Sequence, residues 1–66
     1  MVNYYTLHNQ YDDHLAHVCT ELGSDNKWEA YSKEYGCEGD TEEEVLEEIQ
    51  EYYRADTIKD ESGDEI

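Results

Sequence analysis

The twenty residues from Glu34 to Tyr53 hold nine carboxylates and no lysine or arginine. A charge buried without a partner is too costly for a small fold, so this stretch must keep its acids in water while its few apolar side chains find a core. An amphipathic helix separates the two sets. Val45, Leu46, Ile49, Tyr52 and Tyr53 fall at i, i+1, i+4, i+7 and i+8, which is one apolar stripe. Asp40 or Thr41 caps its start, since Thr41-x-x-Glu44 and Asp40-x-x-Glu43 both fit a capping box. The rest of the helix surface is Glu42, Glu43, Glu44, Glu47, Glu48 and Glu51.

Residues three and four apart on a helix are neighbours, so Glu43/Glu47/Glu51 and Glu44/Glu48 make rows of like charge. Each i,i+4 pair of this kind costs roughly 0.2–0.5 kcal/mol, or about 1 kcal/mol for the three together. Arg54, three after Glu51, offsets part of that, and Glu42–Glu44 gain from the positive end of the helix dipole. A merely solvated helix face interleaves lysine with glutamate, and this one does not. The pattern points to carboxylates standing in for a row of phosphates. The competing account is a salt-adapted proteome, against which the scarcity of alanine and valine and the seven tyrosines argue weakly.

The whole chain carries 19 acidic and 4 basic side chains, a net charge of −15 over 66 residues. The imbalance is uneven, −4 over residues 1–37 and −11 over residues 38–66. Such a surface repels nucleic acid, whose recognition needs the opposite sign, and its partners should be basic. Asp12, Asp13, Asp25 and Glu29 extend the candidate partner-binding surface beyond the helix.

Upstream of the helix the signals favour strands. Met1–His8 contains Tyr4, Tyr5, Thr6 and Leu7, a β-favouring run, and Asn9–Asp13 is turn chemistry. His14–Leu22 reads either as a helix, through Tyr11, Leu15, Val18 and Leu22 with Gly23 as C-cap, or as a strand alternating at Ala16, Val18, Thr20 and Leu22. The hairpin-type loop Gly23-Ser-Asp-Asn26 and the alternation over Lys27–Tyr35 favour the strand. The expected fold is α+β, a three-stranded antiparallel sheet followed by one packed helix (β-β-β-α). Residues 1–54 form the domain, and residues 55–66 form an acidic, frayed tail with room for one short strand near Thr57–Lys59.

The segment Gly36-Cys-Glu-Gly-Asp-Thr-Glu-Glu-Glu-Val-Leu-Glu-Glu-Ile49 resembles the stretch of HicB-like antitoxins in which a strand passes into the domain's helix, and Asp13–Leu22 is similar to that family's second strand. The resemblance covers about residues 4–53 and implies a β-β-β-α core, often dimeric. In size and acidity the chain also resembles the small host-takeover proteins of bacteriophages, several of which mimic DNA. That likeness implies a DNA-binding target. An HU-type nucleoid-associated protein ranks first, because its long basic arms would accept an acidic dimer without detailed shape matching. Uracil-DNA glycosylase and CRISPR or restriction effectors come next. The HicB likeness implies instead an antitoxin covering a basic toxin ribonuclease.

A chain of this size buries only about 60% of the surface its unfolded form exposes. The hydrophobic fraction is 36% with no phenylalanine, so tyrosine and one tryptophan supply most of the large apolar surface. Both facts favour a homodimer. No apolar run approaches a membrane span, no basic and apolar leader opens the chain, and two cysteines do not make a secreted framework. A cytoplasmic protein is expected, in the host cell if phage-encoded. His14-x-x-His17-x-Cys19 with Cys37 lacks zinc-finger spacing, and on a strand His14 would face away from His17. Neither a phosphate loop nor a catalytic triad order is present. The expectation is no enzyme, no cofactor and no metal.

Overall fold

The computed structural model describes residues 1–66. Five strands form one antiparallel sheet under one helix: β1 Val2–His8, β2 His14–Leu22, β3 Trp28–Tyr31, β4 Gly36–Gly39, α1 Glu42–Tyr53 and β5 Thr57–Asp60. The order across the sheet is β4-β3-β2-β1-β5. The α+β class matches the sequence reading, but the sheet has five strands rather than three.

The two strands beyond the expected three arise from a tight turn after β3 and from pairing with β1. Residues Lys27–Tyr35 alternate throughout, yet the strand stops at Tyr31 because Ser32 closes a tight turn. The Ser32 amide donates to the Tyr35 carbonyl at 2.7 Å, and the Tyr35 amide donates back to Ser32 Oγ at 3.2 Å. Gly36–Gly39 then returns beside β3. Glycine at position 39 eases the close approach to the helix, since a Cβ there would lie 3.1 Å from Val45 Cγ1, tighter than ordinary contact. The fifth strand, Thr57–Asp60, falls where the sequence left room for a short strand near Thr57–Lys59, but it belongs to the domain's sheet rather than to a frayed tail beyond residue 54. It pairs with β1 and sends Ile58 into the core. The last residues fold back over it, with the Ile66 amide donating to the Ile58 carbonyl at 3.0 Å.

Strand rather than helix holds for His14–Leu22, and the β1–β2 turn explains how it starts. Asn9 Oδ1 accepts from the amides of Tyr11 and Asp13, each at 2.9 Å, while Asp12 takes the left-handed conformation with φ 64. The register slips once, between Leu7 and His8, so Leu15 is a bulge residue.

Side chains alternate across a sheet. Leu7, Val18, Ala30 and Ile58 point to the helix and meet Val45, Leu46 and Ile49 in one core. The helix starts at Thr41, whose hydroxyl accepts from the Glu44 amide at 3.2 Å, and Asp40 pairs with Lys27 instead of capping. It ends in a Schellman turn: Arg54, at φ 55, donates its amide to Glu51, and the Ala55 amide donates to Gln50. Of the expected apolar stripe, Tyr52 is the exception. It is 52% exposed and stacks on Tyr35, ring centres 4.1 Å apart.

Candidate functional site

The helix face turned away from the sheet carries Glu43, Glu44, Glu47, Glu48 and Glu51, all exposed. These five span residues 43–51, about 12 Å of helix axis at 1.5 Å per residue. That is roughly one charge per 3 Å, comparable to the one per 3.4 Å of a single nucleic-acid strand. None of the five takes part in an ion pair. Glu48 accepts a hydrogen bond from the Tyr35 hydroxyl at 3.2 Å, so the stacked Tyr35–Tyr52 pair borders the strip on one side.

Glu42 is not on that strip. Its Oε2 accepts from Asn3 Nδ2 at 2.7 Å, Tyr5 Oη at 2.9 Å and Thr20 Oγ1 at 2.7 Å. Thr20 is the one polar residue among the eight buried ones, and the carboxylate is what satisfies its hydroxyl. Burial pushes the Glu42 carboxyl up, but the three hydrogen bonds outweigh it and hold the group below the usual glutamate range. In turn, burial and the Glu42 carboxylate push the Tyr5 hydroxyl up to about 12, so it stays a donor. A signal for this was present in the sequence. Glu42 lies three before Val45 and seven before Ile49, on the buried side of the helix.

The other expected partner-binding residues are dispersed. Asp12 pairs with Lys59 at 2.8 Å, and that bond holds its carboxyl below the usual aspartate range. Asp13 accepts from Asn9 Nδ2 at 3.3 Å in the same turn. Asp25 accepts the Lys27 amide at 3.1 Å in the β2–β3 turn, at the far end of β2. Glu29 points from β3 to the sheet's outer face, away from the helix. The structure thus brings together five of the ten residues and places the other five elsewhere.

Sequence reasoning also missed a row on that outer face. Glu21, Glu29 and Glu38 stand directly opposite one another across β2, β3 and β4. Like charges in this arrangement destabilise a sheet. The row was invisible without the register, because β4 was not anticipated.

The histidines converge where the sequence suggested they would not. The bulge at Leu15 sets His14 against His8 and His17, with ring centres 5.8 Å and 4.5 Å away. No set of three ligating side chains is arranged to hold a metal ion. Cys19 lies on the outer face and Cys37 on the inner face, so the two free thiols sit on opposite sides of the sheet. Burial and the nearby Glu48 carboxylate push the Cys37 thiol up to about 11. No helix is long and apolar enough to cross a membrane.

Comparison with protein-family models, curated proteins and solved structures returns no match.

Proposed function

We propose that this protein is a DNA-mimic inhibitor whose exposed helix face occupies the basic DNA-binding surface of another protein and blocks its access to DNA. The observation that carries the reading is the strip Glu43, Glu44, Glu47, Glu48 and Glu51, solvent-facing and without a cationic partner anywhere along it. Such a strip costs stability through like-charge rows, and a basic partner is what would offset that cost. A surface of lysine and arginine binds DNA largely by neutralising phosphates. Carboxylates at similar linear density compete for it without any base-edge chemistry, so the block is independent of sequence. Steering by the net charge speeds encounter, and the affinity falls with salt.

Within this class the preferred target is an HU-type nucleoid-associated protein, whose flexible basic arms demand charge more than shape. The test is competition: fluorescence anisotropy of a labelled duplex bound to an HU-type protein, titrated with this chain at low and high salt. Release of the duplex at low salt and loss of that release at high salt are expected. If the duplex stays bound at low salt, HU is the wrong target, and capture from a bacterial lysate becomes decisive. Recovery of another DNA-binding protein that added duplex displaces keeps the mimicry reading. Recovery of a small ribonuclease alone replaces it with antitoxin function.

A further inference from the structure

The sheet has one face under the helix and one face under nothing. On the uncovered face the register arranges side chains in rows across the strands. At one end lie Val2, Glu21, Glu29 and Glu38. In the middle lie Tyr4, Cys19, Tyr31 and Gly36. Beyond them lie Lys59, Thr6 and His17, and then His8 against His14. The middle row is the apolar part, with Tyr4 53% and Tyr31 41% exposed. One end is therefore a ladder of carboxylates. The other holds all three histidines of the chain and Lys59, the latter paired with Asp12.

We propose that this face is the interface between two copies of the chain, packed sheet on sheet about a two-fold axis running across the strands along the Tyr4–Cys19–Tyr31 row. A two-fold contact uses the same patch on both subunits. An axis in this direction reverses the strands of one copy relative to the other. The tyrosine row of one sheet then meets that of its partner, and because this axis keeps the strand order, Glu21 lies over the other copy's His17 and Glu29 over the other copy's β3–β4 turn, which contains Lys33. The face is self-complementary in that arrangement, and its like-charge row gains donors that the single chain does not offer.

A second copy fits better here than a basic target does. A target surface of lysines and arginines would meet Lys59 at one end of this face, whereas the helix strip presents no cation to it. Sheet-to-sheet packing also leaves both acidic helices on the outside, as far apart as the two layers allow. The repulsion between two highly acidic chains is smallest that way, since it falls off over a screening length of about 8 Å at physiological salt. The interface is independent of the target's identity.

Sedimentation equilibrium of the full chain tests the proposal, with a species at twice the 7.8 kDa chain mass expected. Tyr31→Glu should weaken association more than about tenfold, and Tyr52→Glu on the helix side should leave it unchanged. Glu29→Lys supplies a second variant in which folding is not at risk, because it breaks the like-charge ladder. It should raise the stability of the single chain while weakening association. Stacked sheets lie about 10 Å apart, too far for a disulfide, so a short bismaleimide should join two chains through Cys19. Cys19→Ser should abolish that product and Cys37→Ser should retain it. A single-chain mass at every concentration overturns the proposal. So does association that Tyr31→Glu and Glu29→Lys both leave intact, or cross-linking that does not need Cys19.

Discussion

The inward and outward carboxylates of α1 share one dodecapeptide and differ in everything that surrounds them. Glu42 accepts three side-chain hydrogen bonds from two strands and completes the only buried hydroxyl of the core. One residue later the outward set begins, and along Glu43, Glu44, Glu47, Glu48 and Glu51 a single tyrosine hydroxyl is the only side-chain donor. The first carboxylate holds the fold together, and the others work against it. The lesson is that glutamate count says little about role. Donor supply within about 3 Å decides whether an acid is structure or surface.

Reversing the outward set should have the largest effect. Glu43, Glu47 and Glu51 changed together to lysine should weaken binding to a basic target on the order of a thousandfold at low salt, with an unchanged circular dichroism spectrum. Retained inhibition by that variant would move the contact surface off the helix.

The inward carboxylate is tested by stability rather than binding. Glu42→Ala should cost about 2–4 kcal/mol in urea unfolding, because it strands the Thr20 hydroxyl and removes charge-assisted bonds to Asn3 and Tyr5. A cost near zero would erase the distinction between the two sets. The pH dependence has a definite sign. The folded state holds the Glu42 carboxyl below its ordinary value, so its contribution is fully present above the unfolded value of about 4.3 and is lost as pH falls through the folded value. Glu42→Gln should flatten that part of the acid limb.

Smaller effects come from the helix ends. Thr41→Ala removes the acceptor for the Glu44 amide and should cost about 1 kcal/mol. Arg54→Gly relieves a left-handed side chain at φ 55 and should stabilise by about 0.5–1 kcal/mol. Neither should alter inhibition, since neither removes an outward carboxylate.

What the chain determines on its own is what depends on neighbours in sequence. The start of α1 at Thr41, its apolar stripe of Val45, Leu46 and Ile49, the outward glutamates and the turns at Asn9 and Gly23 all follow from side chains within a few residues of one another. They were legible for that reason. The misreadings share the opposite property. The spacing of Glu42 from Val45 and Ile49 places it on the buried side, but the donors that hold it there, Asn3, Tyr5 and Thr20, arrive from two strands far away in the chain, and that spacing could not reveal them. The short β4 is too brief to carry a pattern of its own, and it exists because β3 offers it backbone partners; β5 was legible as a short strand near Thr57–Lys59, but only β1 decides that it joins the sheet. The three histidines meet through one bulge, and the Glu21–Glu29–Glu38 ladder stands on strand register. Register is a property of pairs of strands, so no single segment encodes it, and only the assembled sheet decides which charges face each other.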